Sequence, residues 1–168
     1  MKKTKKLLAI DPGTKHLGFA LLEGSALIHF GVKTISEGKP SQTCLIQGKR
    51  VVSRMIEDFN PHVLIVEKTY FGNNKDSQTL NLFTEQIRRI GVKKRITVQK
   101  IATNSVRKIV CGNGEATKDD VAKAMVLKYP ELRPYLTSDR RWKEEYYRNM
   151  FDAVALGVAS ARINQLGH

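Results

Sequence analysis

Three acidic residues in this chain sit where acids are unfavourable. LLAI at 7–10 runs straight into Asp11, and VLIV at 63–66 runs into Glu67. Asp152 lies inside the small-residue apolar stretch MFDAVALGVASARI. A short apolar run bounded by turn residues reads as a buried strand. Asp11 and Glu67 would then each stand at the C-terminal end of a strand deep in a sheet. A carboxylate there is destabilising unless something pairs with it. Asp is also a poor helix-interior residue and is rarely buried alone. Taken singly, Asp11-Pro12-Gly13 is an ordinary Asp-Pro-Gly turn. Taken together, the three carboxylates would repel one another and raise each other's pKa, unless a divalent cation stood between them. An all-oxygen set selects a hard ion, Mg²⁺ or Mn²⁺. Two such ions about 4 Å apart can activate water and stabilise the leaving oxygen of a phosphodiester. Asn149 stands three residues before Asp152, on the same helical face.

The charge of the chain names a partner for that chemistry. It holds 29 Lys and Arg against 16 Asp and Glu, a net +13. Such an excess favours a polyanion, most often nucleic acid; the alternative is a merely soluble basic surface. No basic amphipathic helix stands apart from the core pattern, which argues against a membrane partner. Arg107, Lys108 and Lys118 flank a flexible loop, Gly112–Gly114, and the helix start that follows it. Basic residues so placed suit phosphate contact, although a solvated charged face fits them equally well. Tyr70 and Phe71 occupy the polar stretch KTYFGNNKD just after Glu67. They could stack on exposed bases, or one ring could tuck into the core. A carboxylate metal site and a polyanionic partner together imply a nuclease.

The elements that must position these residues follow from the apolar pattern. Leu17–Leu22 and Leu27–Lys33 read as strands that, with the first, form consecutive antiparallel neighbours. Leu45, Val52, Met55, Ile56 and Phe59 recur at helical spacing, and Asn60-Pro61 stops that helix. The helix is a crossover, so the strand ending at Glu67 is parallel and adjacent to the one ending at Asp11. Both acids then emerge on one edge of the sheet. A helix from Leu80 to Ile90, a strand from Ile96 to Ile101 and a short helix capped by Thr103 or Asn104 follow. Thr117 with Asp120 resembles a capping box for the next helix, which ends at Tyr129-Pro130. The charged, aromatic segment TSDRRWKEEYYR reads as a charged helix or an ordered insertion, and Met150–Ile163 as the last helix. At 168 residues the expectation is one domain spanning 1–168. The apolar run after MKKTKK is too short for a secretory core. No run reaches the roughly 18 apolar residues of a membrane helix. Cys44 and Cys111, far apart, read as reduced bystanders in a cytoplasmic protein.

Four blocks, LLAIDPGTKHLGFAL, VLIVEKTYFGNNKDS, VRKIVCGNGEATKDDVAKAM and FDAVALGVAS, occur in that order. The set resembles the RuvC-type Holliday junction resolvases, over Leu7 to about Arg162. One block such as IDPG is weak, since actin-like ATPases and sugar kinases also use a DxG turn; those folds need two duplicated domains, and this chain has room for one. The resemblance implies an α/β, RNase H-like fold: a five-stranded mixed sheet, order 3-2-1-4-5, flanked by helices. It implies a homodimer that resolves four-way junctions by paired symmetric nicks, using Mg²⁺ or Mn²⁺ at two ions per site, with a branch-migration motor as a possible partner. By the match, Asp11, Glu67 and Asp152 fall on metal-binding catalytic positions. Asn149 falls on the fourth, where the family usually carries Asp or His; an uncharged ligand there would lower cation affinity. Tyr70 matches the junction-probing aromatic, with Phe71 beside it. Arg107 and Lys118 match DNA-contacting positions, and Lys118 would also neutralise phosphate near the scissile bond. The connection from Arg133 to Tyr147 is longer than in typical members. Two other readings stay open: a relaxed branched-DNA nuclease acting on forks, flaps and three-way junctions, and a catalytically weak junction-binding protein.

Overall fold

The computed structural model describes residues 4–35, 42–68, 74–136 and 141–166. Its strands are β1 (Lys6–Pro12), β2 (His16–Glu23), β3 (Ala26–Thr34), β4 (Val63–Lys68) and β5 (Thr97–Ala102). Among the described residues they form a five-stranded sheet in the order β3-β2-β1-β4-β5. The β1–β2 and β2–β3 pairs are antiparallel, while β1–β4 and β4–β5 are parallel. The helices are α1 (Gln42–Phe59), α2 (Lys75–Lys93), α3 (Thr103–Cys111), α4 (Lys118–Lys128) and α5 (Arg141–Leu166), with a 3-10 turn at Pro130–Tyr135. The expected mixed sheet and its strand order are therefore observed.

The central strands are apolar on both sides because both sides are covered. Leu8 and Ile10 of β1, with Leu64 and Val66 of β4, pack with α1 and α2 residues such as Val52 and Phe83. Leu7 and Ala9, with Val63 and Ile65, pack with residues of α3, α4 and α5, including Val106, Met125 and Val154. Side chains alternate across a strand. Asp11 therefore follows Leu7 and Ala9 onto the α5 side, and Glu67 follows Val63 and Ile65 onto the same side. Ile10 pairs with Val66, so each acid is one residue beyond a matched pair. Strand parity and register thus aim both carboxylates toward one helix.

That helix is α5. It runs unbroken from 141 to 166, so the charged segment from 141 onward is its N-terminal extension rather than a separate element, while residues 137–140 lie outside the described residues. Ala153, Val154, Ala155, Leu156, Val158 and Ala159 are buried. Small residues let the helix lie close against the sheet. At Gly157 an added Cβ would overlap Leu22 Cδ1, and it would sit 3.6 Å from Ala9 Cβ. The capping box on α4 is present: Thr117 Oγ1 accepts from Asp120 N–H at 3.1 Å, and Asp120 accepts from Thr117 N–H at 2.8 Å. The cap expected on α3 is not. Its N-cap is Ala102, without a side-chain bond, and Thr103 lies inside the first turn with its hydroxyl turned elsewhere. No helix among the described residues is long and apolar enough to cross a membrane.

Candidate active site

At the C-terminal ends of β1 and β4 the chain leaves a cleft of about 440 Å³. Asp11, Glu67 and Asp152 all line it, delivered by β1, β4 and α5. Asn149, Lys118 and Arg107 line it too. Lys108 is exposed and is not part of the lining. Tyr70 and Phe71 fall outside the described residues.

The carboxylates feel one another. Burial, then the charges of Asp152 and Glu67, hold the Asp11 carboxyl well above its ordinary range, against the pull of Lys118. Burial, then Asp152, raises Glu67, opposed by Lys118 and Arg107. Burial raises Asp152 as well, opposed by Lys118, Arg107 and Arg148. Lys118 Nζ lies 3.7 Å from Asp152 Oδ2. The cleft thus gathers negative charge that one lysine and neighbouring arginines only partly relieve. Thr103 donates its hydroxyl to Glu67 Oε1. A residue that sequence read as a cap therefore fixes a candidate ligand, and nothing in its spacing signalled that role.

The donor chemistry fits a hard divalent cation. The acidic donors are all oxygen, and a bound dication would relieve both the burial and the mutual repulsion of the three carboxyls. Among the described residues, no three His, Cys, Asp or Glu side chains stand at the spacing of a closed metal site.

The turn after Asp11 is held from several sides. Thr14 O accepts from Cys44 Sγ at 3.0 Å, and Lys15 O from Ile35 N–H at 2.8 Å. His16 O accepts from Asn149 Nδ2 at 2.7 Å. Cys44, expected to be a bystander, is buried and touches this turn, while Cys111 is a free, half-buried thiol on α3.

A family model, Crossover junction endodeoxyribonuclease RuvC, matches residues 7–139. The chain belongs to the RuvC family. The Neorickettsia sennetsu crossover junction endodeoxyribonuclease RuvC is 33% identical over 164 residues, 92% of each chain. In fold, the chain is similar to Thermus thermophilus RuvC in complex with a Holliday junction substrate. That match has a TM-score of 0.77 at 20% identity and covers 97% of this chain and 96% of that one. The yeast mitochondrial Holliday junction resolvase Ydc2 is also similar, at a TM-score of 0.73 and 14% identity, covering 98% of this chain and 81% of the other. RuvC proteins are divalent-metal-dependent nucleases, and the carboxylate cleft of this RuvC-family chain has the donor chemistry such an enzyme needs.

Proposed function

We propose that the chain resolves four-way DNA junctions by hydrolysing phosphodiesters in its carboxylate cleft. The supporting observation is the convergence of Asp11, Glu67 and Asp152 from three separate elements beside Lys118 and Arg107. The relatives named for crossover junction cleavage and the structural neighbour bound to a Holliday junction support the same substrate. Asp11, Glu67 and Asp152 would hold Mg²⁺, with Mn²⁺ able to substitute, at two ions per cleft. When bound, these ions supply Lewis-acid activation of water and stabilise charge developing on the phosphodiester. The protein's own residues do the rest. Thr103 orients Glu67 through its hydroxyl. Lys118 and Arg107 present positive charge to a phosphate entering the cleft. Paired nicks require two clefts, and we propose a homodimer; exposed Leu82 and Val92 on α2 offer apolar surface for it. Tyr70 and Phe71 are proposed to stack on bases opened at the junction, with a branch-migration motor as a further partner.

The deciding experiment is cleavage of a mobile four-way junction, a fork, a flap and a three-way junction at one enzyme concentration with Mg²⁺ or Mn²⁺. Symmetric nicks confined to the four-way junction support the proposal. Equal rates across the panel identify a relaxed branched-DNA nuclease, and binding without nicking identifies a junction-binding protein. Lys118→Ala is expected to slow nicking about 100-fold or more, in the range of a lost charge-stabilising group. Junction affinity should fall much less, with the salt slope of binding dropping by about one phosphate contact. Loss of binding in proportion to nicking would make Lys118 a mere docking contact.

A further inference from the structure

Asn149 makes a hydrogen bond at the cleft that a carboxylate in its place could not make. Its Nδ2 donates to the main-chain carbonyl of His16 at 2.7 Å. A carbonyl can only accept, so the amide must present its nitrogen there and keep its oxygen away. Only that oxygen is left to the cleft. The bond closes over Gly13, where an added Cβ would overlap both Asn149 Nδ2 and His16 O. Gly13 opens the turn between β1 and β2, two residues after Asp11, so this bond ties α5 to the connection just beyond Asp11. A carboxylate at 149 would be isosteric but could not donate, and it would set two acceptors face to face.

A second contact lands on the same residue. The Tyr146 ring, three residues earlier on α5, meets the His16 imidazole edge-on, with centroids 4.9 Å apart and planes at 68°. Tyr146 in turn packs edge-to-face on Tyr147 at 5.0 Å, and Tyr147 on Tyr135 at 5.0 Å. Tyr135 reaches Phe30 of β3 at 5.7 Å. Edge-to-face pairs at such separations are attractive beyond simple burial. The aromatics of the α5 extension and of the 3-10 turn therefore form a continuous strut from the sheet to the turn beside Asp11. This gives the N-terminal extension of α5 a task that its charge pattern did not suggest.

We propose that the α5 extension is a clamp on the β1–β2 turn next to Asp11, with Asn149 and Tyr146 as positioning residues acting through His16. On this view Asn149 is needed as a hydrogen-bond donor, and a carboxylate in its place is harmful. The proposal rests on the reading of Asp11, Glu67 and Asp152 as the cation-binding set.

The test uses the full chain and Mn²⁺ as the probe. Hydrogen–deuterium exchange of residues 13–18, the Mn²⁺-induced rise in melting temperature and junction nicking are measured for Asn149→Asp, Tyr146→Leu and Asp11→Asn. Asn149→Asp is expected to speed exchange in the turn about tenfold or more while β4 stays protected. Its Mn²⁺-induced rise should shrink and its nicking fall by about tenfold, although it adds a carboxylate to the cleft. Tyr146→Leu keeps the amide bond, so a smaller loosening of the same turn, about threefold, is expected; it serves as the readout if Asn149→Asp does not fold. Unchanged exchange together with an equal or larger Mn²⁺-induced rise in Asn149→Asp overturns the clamp and makes position 149 a ligand. Asp11→Asn reports on the underlying reading separately. If its Mn²⁺-induced rise persists, the cation set is wrong, whereas the exchange of the turn still judges the clamp.

Discussion

Replacing Asp11 by Asn is expected to abolish nicking, by about 10³-fold or more, while making the metal-free protein more stable. The two effects have one origin. Asp11 is held well above its ordinary pKa by burial and by the charges of Asp152 and Glu67. The native state therefore holds this proton more tightly than the unfolded chain does, so ionising Asp11 opposes folding. A group with a raised native pKa supports folding fully below its unfolded pKa and loses that support as pH rises through the native value. The stability advantage of Asp11→Asn should accordingly vanish at acid pH and grow as pH climbs above the ordinary carboxylate range. A gain of even about 1 kcal/mol moves the melting temperature of a domain this size by roughly 2–4 °C, which a thermal scan in chelator resolves. Added Mn²⁺ should raise the melting temperature of the native protein and leave the variant nearly unmoved, with junction binding largely intact. A metal-free variant that melts below the native protein would show that Asp11 holds the fold rather than a cation.

That trade between stability and function explains which parts of the cleft were legible in sequence. Asp11 and Glu67 were visible because a charged residue closing an apolar strand is a local conflict, and such conflicts gather at functional sites. Their convergence was visible too, because a crossover helix between two such strands forces parallel neighbours, as the β1–β4 pairing confirms. Asp152 was visible for the same reason inside a helix. What sequence could not give were bonds to main-chain atoms. Every residue carries a carbonyl, so nothing marked that of His16 as the partner of Asn149, or that of Thr14 as the partner of Cys44. Thr103 was misread because a threonine before an apolar helical pattern is a good cap, yet a partner 36 positions away in sequence took its hydroxyl. The extension of α5 was ambiguous because its aromatics Tyr146 and Tyr147 also face His16 of β2 and Tyr135 of the 3-10 turn, partners that spacing along a helix does not reveal.

The largest purely structural effect is expected at Gly18, where Gly18→Ala should cost about 3 kcal/mol or more. Gly18 lies in β2, pairs with Asp11 across the sheet, and has α5 passing directly over it. An added Cβ would overlap the carbonyl of Asn149 and stand 2.5 Å from Met150 N. These are backbone atoms of a helix, so no side-chain rotation relieves the clash. Either α5 lifts from the sheet or β2 bends away. Lifting α5 also withdraws Asp152 from Asp11 and Glu67, because the contact point is only two residues from Asp152. Stability and cation response should therefore fall together: a melting temperature lower by roughly 6–12 °C at 2–4 °C per kcal/mol, and a reduced Mn²⁺-induced rise. Gly114→Ala is the matched control. It sits in the loop before α4, where an added Cβ would meet Asn104 O at 3.5 Å and Asn104 Cβ at 3.9 Å, both ordinary contacts. That substitution should leave both measurements within error. If Gly18→Ala melts like the native protein, then α5 does not ride on β2 as closely as the site requires, and Asp152 must reach the other acids by some other path.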